Sequence, residues 1–160
     1  MWNNDTHDVQ IGQPAPDFTL ENENGEKVQL SELRGRPVVL MFYPFDWSGL
    51  CTKEICTLRD NFPNWSDTGA QVFGISRDSK YSHKAWKDHL GLEYSLLADL
   101  VGEVAKQYGA WNDDLHRANR TTIVIDPEGT IRYIVHNDSG TARNQDEILE
   151  AVRGMAAARR

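Results

Sequence analysis

At 160 residues the chain is long enough to bury one substantial core and is read as a single domain of residues 11–160 behind a flexible stretch, residues 1–10. A formal charge of −7, from 24 acidic against 17 basic residues, argues against a general nucleic-acid binder or a protein held on anionic lipid. No apolar run approaches the ~20 residues of a membrane span, and the start lacks the basic and apolar regions of a secretory signal. Two cysteines in a chain of this size do not make a disulfide framework, so a cytoplasmic redox role is expected.

Pro14 and Pro16 fix an extended path into a hairpin, Phe18–Leu20 against Val28–Leu30, with Gly25 in its turn. Ser31 is expected to cap a short helical turn ended by Gly35. Val38 to Tyr43 is apolar without alternation, the pattern of a central strand covered on both faces. Leu50 to Phe62 has helical spacing, with a stop at Thr68-Gly69, and Gln71 to Ser76 reads as a second buried strand. Asp78 or Ser79 is placed to cap a helix over His83, Trp86 and Leu90 that ends at Gly91. Leu96–Ala98 is a short strand, Val101–Tyr108 a helix, and Gly109–Asn119 a loop. Thr121–Asp126 and Thr130–His136 form a hairpin around Pro127-Glu128-Gly129. Asn137–Asn144 is a polar loop, and Gln145–Ala158 is the last helix, with Ile148, Leu149 and Val152 on its buried stripe. Neither repeats nor linkers interrupt this order, which is that of one α/β domain with a hairpin at its N-terminal end.

Both cysteines fall in Pro44–Cys56, at the junction of a strand and a helix. There Cys51 sits in a first turn, where free N–H groups and the macrodipole favour a thiolate. At ~100° per residue Cys51, Ile55, Leu58 and Phe62 share a sector of roughly 60°, the stripe that packs on the sheet. Cys56 lies about 140° away from Cys51, off that stripe. Residues five apart on a helix are separated by roughly 8 Å, beyond the ~7 Å limit of a disulfide, so pairing requires the first turns to unwind. Ser48 is placed to be the N-cap, as an ordinary cap or with its hydroxyl toward the thiolate. Glu54 is expected to be a solvated first-turn acid, or, beside a basic partner, to orient that partner.

Pro44-x-x-x-Ser48-x-x-Cys51-x-x-Glu54 resembles the active-site signature of the peroxiredoxins, and Asn119-Arg120-Thr121-Thr122-Ile123-Val124-Ile125-Asp126 is similar to the strand that carries their active-site arginine. Gly12-x-x-Ala15-Pro16-Asp17-Phe18, Leu33-x-Gly35 and Gly129 extend the resemblance over about Ile11 to Arg153. The Cys-x-x-x-x-Cys spacing is similar to the bacterioferritin-comigratory-protein branch, whose resolving cysteine lies five residues on. Ala118-Asn119-Arg120 and Gly140–Arg143 look more like the alkyl hydroperoxide reductase E branch. An E-like chain carrying a candidate resolver in Cys56 is favoured.

The resemblance implies a thioredoxin-like fold, a central mixed sheet flanked by helices, and reduction of hydrogen peroxide and organic hydroperoxides without a cofactor or metal. It implies that Arg120 holds the Cys51 thiolate and the peroxide oxygens, that Ser48 hydrogen-bonds both, and that Pro44 shields the sulfenic acid formed on Cys51. Recycling through thioredoxin, a glutaredoxin-like protein or a low-molecular-weight thiol, and a homodimer, are implied in the same way. A one-cysteine cycle without Cys56, a peroxide-sensing relay to a partner and a thioredoxin-like disulfide reductase are the alternatives, the last lacking Cys-x-x-Cys. Ser48 stands where threonine is commoner. Asp46 stands where a neutral residue is usual, and it would disfavour the thiolate unless it faces solvent. Trp47 is expected to wall the pocket or simply to pack, Trp65 and Trp86 to be core, and Arg143 to lie on the exposed surface rather than to assist at the site. The histidines show no metal-ligand spacing with one another or with the cysteines.

Overall fold

The structure is a computed structural model that describes residues 9–137 and 143–158. A chain with unbroken apolar runs separated by amphipathic helices has one economical arrangement, a sheet covered on both faces. The strands are β1 (Thr19–Asn22), β2 (Lys27–Gln29), β3 (Val38–Phe42), β4 (Gln71–Ser76), β5 (Ser95–Ala98), β8 (Arg120–Ile125) and β9 (Ile131–Asn137). They lie in the order β2-β1-β5-β4-β3-β8-β9. β3, β4 and β5 run parallel, while β8 pairs antiparallel with β3, so the sheet is mixed and the expected α/β class is met. The N-terminal hairpin of β1 and β2 extends the sheet at one edge, through pairing of β1 with β5.

Side chains alternate across β3 into two cores. Leu40 and Phe42 pack with Phe18, Ile75, Tyr108 and Ile123 around α4 (Glu103–Gln107). Val39, Met41 and Tyr43 pack on the other face under α1 (Gly49–Asp60), α3 (Lys80–Leu90) and α5 (Gln145–Ala158). Cys51, Ile55 and Leu58 belong to this second core, as the helical stripe requires. Ser79 caps α3 by accepting from Ser82 N–H at 3.2 Å, and Gly91 ends it in the left-handed region at φ 68°.

Four local expectations are corrected. The helix after Cys51 stops at Asp60, and a separate α2 (Phe62–Ser66) follows, because Asn61 leaves helical geometry and Pro63 has no N–H to continue the ladder. Gly109–Asn119 contains a two-stranded ribbon, β6 (Trp111–Asn112) with β7 (Arg117–Ala118). Ser31 is not a cap: the turn is a 3-10 helix over Leu30–Leu33, and Ser31 N–H donates to Asp17 Oδ1 at 2.9 Å. Val9, inside the stretch expected to be loose, is buried in the first core. The segment Gly140–Ala142 and most of residues 1–10 lie outside the described residues.

Candidate active site

β3 delivers the chain to the C-terminal edge of the sheet, where Tyr43 and Pro44 are still buried. The backbone then turns through Trp47 at φ 69°, and α1 begins at Gly49. Cys51 occupies the first turn, 1% exposed. Ser48 holds the N-cap position, but its side chain makes no capping bond and instead reaches Phe45 C=O at 3.4 Å. The expected contact from Ser48 to the first-turn N–H groups is therefore absent, and those donors take no side-chain cap from it.

Phe42 pairs with Thr121 across the β3–β8 ladder, which brings Arg120 to the same edge. Its Nη2 donates to Cys51 Sγ at 3.2 Å, and its Nη1 donates to Glu54 Oε1 at 2.5 Å. Its Nε is buried without a partner among the described residues. Glu54 is 7% exposed, which overturns the solvated-acid expectation and leaves the orienting one. Its second oxygen, Oε2, accepts the Arg143 backbone N–H at 2.7 Å.

Arg143 is also corrected: it is buried rather than exposed. Nη1 donates to Thr121 C=O and Thr122 Oγ1, both at 3.0 Å, Nη2 donates to Phe42 C=O, and Nε lies 3.5 Å from Glu54 Oε2. Burial pulls its guanidinium below the usual arginine range, and the Glu54 charge opposes that pull. Two buried guanidinium groups facing one carboxylate leave a positive excess that a Cys51 thiolate balances. That charge count adds to the Arg120 contact in marking Cys51 as a site for an anion.

Cys56 is half-buried on the same unbroken helix, and both cysteines are free. Trp47 packs by its ring on α3. It is 52% exposed, with its ring 5.5 Å from that of His89 and 6.4 Å from that of Trp86. Trp65 and Trp86 are fully buried, as expected. Asp46 faces neither solvent nor Cys51; it is buried under α3 against Tyr43, Ser82 and His83. Asp46, Asp78 and His83 bring potential metal-ligand atoms within 4.8 Å of one another, but those atoms are already engaged in hydrogen bonds, and the group is read as a polar network. The sequence reading missed this network and favoured the surface for Arg143. The signal for the first was a histidine placed on the buried stripe of α3, where a polar ring needs partners.

The AhpC/TSA family matches residues 11–134. The chain is similar to a chloroplastic peroxiredoxin Q of Suaeda salsa, 38% identical over 149 residues covering 92% of this chain and 69% of the relative. It is 34% identical to peroxiredoxin 2 of Thermoplasma acidophilum over 151 residues, covering 91% of this chain and 75% of the relative. Among solved structures, peroxidoxin BcpB of Mycobacterium tuberculosis superposes with a TM-score of 0.84 at 30% identity, covering 92% of this chain and 98% of the other. AhpC of Enterococcus faecalis superposes at 0.83 with 29% identity, covering 93% and 92%.

Proposed function

The chain belongs to the AhpC/TSA family and is a peroxiredoxin of thioredoxin-like fold, a thiol-dependent peroxidase, and we propose that Cys51 is its attacking sulfur and Cys56 its resolving one. The observation that carries the first assignment is the Arg120 Nη2–Cys51 Sγ contact of 3.2 Å at the mouth of α1. The thiolate attacks one peroxide oxygen, the O–O bond breaks, and the alkoxide or hydroxide leaves with the proton of the attacked oxygen, giving an alcohol or water and a Cys51 sulfenate, which takes up a proton from water to become the sulfenic acid. Arg120 shares its cation between the sulfur and the developing oxyanion, and Glu54 fixes the guanidinium plane so that this costs no reorganisation. The uncapped N–H groups at the start of α1 add a positive end to the same point. Pro44 is buried at the loop entrance and shields the sulfur from water. Ser48 reaches the reacting atoms only by rotating away from Phe45 C=O.

Cys56 is supported by its half exposure, off the core stripe. Its reach to Cys51 requires α1 to unwind, since five residues of intact helix hold the two apart by roughly 8 Å. Reduced protein treated with one equivalent of hydrogen peroxide and read by intact mass tests this: loss of two hydrogens is expected, and a retained oxygen on Cys51 overturns it in favour of a one-cysteine cycle. A thiol reductant closes the cycle; thioredoxin is the proposed donor, with a glutaredoxin-like protein or small thiol as substitutes. Such a cycle needs a compartment rich in reduced thiols, and the cytoplasm is the proposed one. Among the described residues no helix is long and apolar enough to cross a membrane. A homodimer is proposed on family grounds, and sedimentation of the reduced protein tests it.

A further inference from the structure

The reactive loop contributes one carboxylate, Asp46, and turns it away from Cys51 into a closed polar pocket. Oδ1 accepts from Tyr43 Oη–H at 2.6 Å, and Oδ2 accepts from Ser82 Oγ–H at 3.0 Å. Oδ2 also faces His83 Nδ1 at 2.7 Å, with both side chains fully buried. The other ring nitrogen, Nε2, faces Leu97 C=O at 3.0 Å. A carbonyl can only accept, so Nε2 carries a hydrogen and a second proton lies on the line between Nδ1 and Asp46. The Asp46 N–H donates to Asp78 Oδ2 at 2.8 Å, and Ser76 Oγ–H donates to the same oxygen at 2.5 Å. Burial, then the Asp46 charge, pushes the Tyr43 hydroxyl well above its usual range, so it remains a donor. This loop residue is thus bonded to the β4–α3 connection and to α3 as well as to Tyr43, just past the end of β3.

A second anchor stands at Glu54. Besides its carboxylate bonds, its C=O accepts from Gln145 Nε2 at 3.0 Å, and the next carbonyl, Ile55 C=O, accepts from Tyr94 Oη–H at 3.3 Å. One turn on, Arg59 Nη1 donates to Leu90 C=O at 2.8 Å. Between the anchors lie Trp47 to Lys53, which include the positive-φ Trp47, the uncapped Ser48 and the exposed Gly49. This short segment, strained at Trp47 and without a side-chain cap, is the part of α1 that must open for the two cysteines to meet, against the burial of Cys51 and its contact with Arg120.

We propose that Asp46 and His83 form a clamp on the front end of this segment, and that the clamp sets how Cys51 sulfenic acid divides between the Cys56 disulfide and further oxidation. This rests on Cys56 being the resolving residue. In the open form Cys51-SOH and Cys56-SH condense: the S–S bond forms, the S–O bond breaks, and the hydroxide leaves with the thiol proton as water. In the closed form a second hydroperoxide meets the sulfenic acid first and gives the sulfinic acid and an alcohol, a dead end without dedicated repair. His83 touches no reacting atom. It is a positioning residue that acts through Asp46, and weakening it shifts the closed–open equilibrium toward the disulfide.

His83→Gln and His83→Asn separate this role from packing. The asparagine keeps a donor toward Asp46; the glutamine keeps one toward Leu97 C=O and loses the other. With excess hydrogen peroxide and intact mass as the readout, His83→Gln is expected to lower the sulfinic fraction about tenfold, the effect of one lost bond to a charged group. Hydrogen exchange of residues 47–53 in the reduced protein is expected to rise in parallel, with His83→Asn close to the parent on both readouts. Ser82→Ala removes a bond to the same carboxylate from a half-buried position and gives an intermediate effect, which keeps the test alive if His83→Gln does not fold. Parental partition and exchange in both His83→Gln and Ser82→Ala overturn the proposal, as does an equal change in the two histidine variants. If the parent forms no disulfide, the Cys56 assignment fails and the clamp is judged on exchange alone: a rise in His83→Gln but not in His83→Asn upholds it, and no rise overturns it.

Discussion

Cys51→Ser is expected to cut hydroperoxide consumption by at least ~10³-fold, because a serine hydroxyl cannot ionise usefully at neutral pH and oxygen is not oxidised to a sulfenic counterpart. The substitution is nearly isosteric in a site that is 1% exposed, and Arg120 Nη2 remains as a donor to the new oxygen. The loss therefore reports chemistry rather than unfolding. The check is peroxide disappearance with dithiothreitol as reductant, alongside the thermal transition of the same sample. Unchanged consumption would remove Cys51 from the mechanism.

Arg120→Met is expected to lower the second-order rate of sulfenic acid formation by about 10²–10³-fold, the range for loss of a preorganised donor to a developing oxyanion. Its cost in stability is expected to stay below the ~3–5 kcal/mol of a fully broken buried pair, since Glu54 keeps the Arg143 N–H and its nearby cation. Arg120→Lys is expected to recover only part of the rate. One ammonium can neutralise the site but cannot hold Glu54 and the sulfur along two fixed directions, as the guanidinium does at 2.5 and 3.2 Å. Stopped-flow rates of the three proteins at one pH decide it, and an Arg120→Met rate within a few-fold of the parent would refute the assigned role.

The strands were legible because burial leaves a mark in composition. Val38–Tyr43 has no charged or amide residue to face water, and Val38–Phe42 of it became the strand flanked by β4 and β8. Ser79 and Gly91 marked the ends of α3 because a cap and a positive φ each call for particular residue types. Cys51 and Arg120 were found through motif, and their contact across 69 positions is a property of the β3–β8 register. Arg143 was misjudged because arginine favours the surface and its burial depends on carbonyls from two distant strands. Ser48 shows another limit. Its place before the helix was readable, but whether its hydroxyl points forward to the N–H groups or back to Phe45 is a rotamer choice. The Trp111–Ala118 ribbon has two-residue strands, too short to leave a period.

Trp47 sits inside the segment between the two anchors, and its indole lies against the His89 ring and the fully buried indole of Trp86. An imidazole beside an indole quenches its emission, and two neighbouring indoles exchange excitation. Unwinding of the segment carries Trp47 away from Trp86 and His89, which stay together on α3. A Cys51–Cys56 disulfide, which requires that unwinding, is therefore expected to change the tryptophan emission of the protein, an optical signal without any added label.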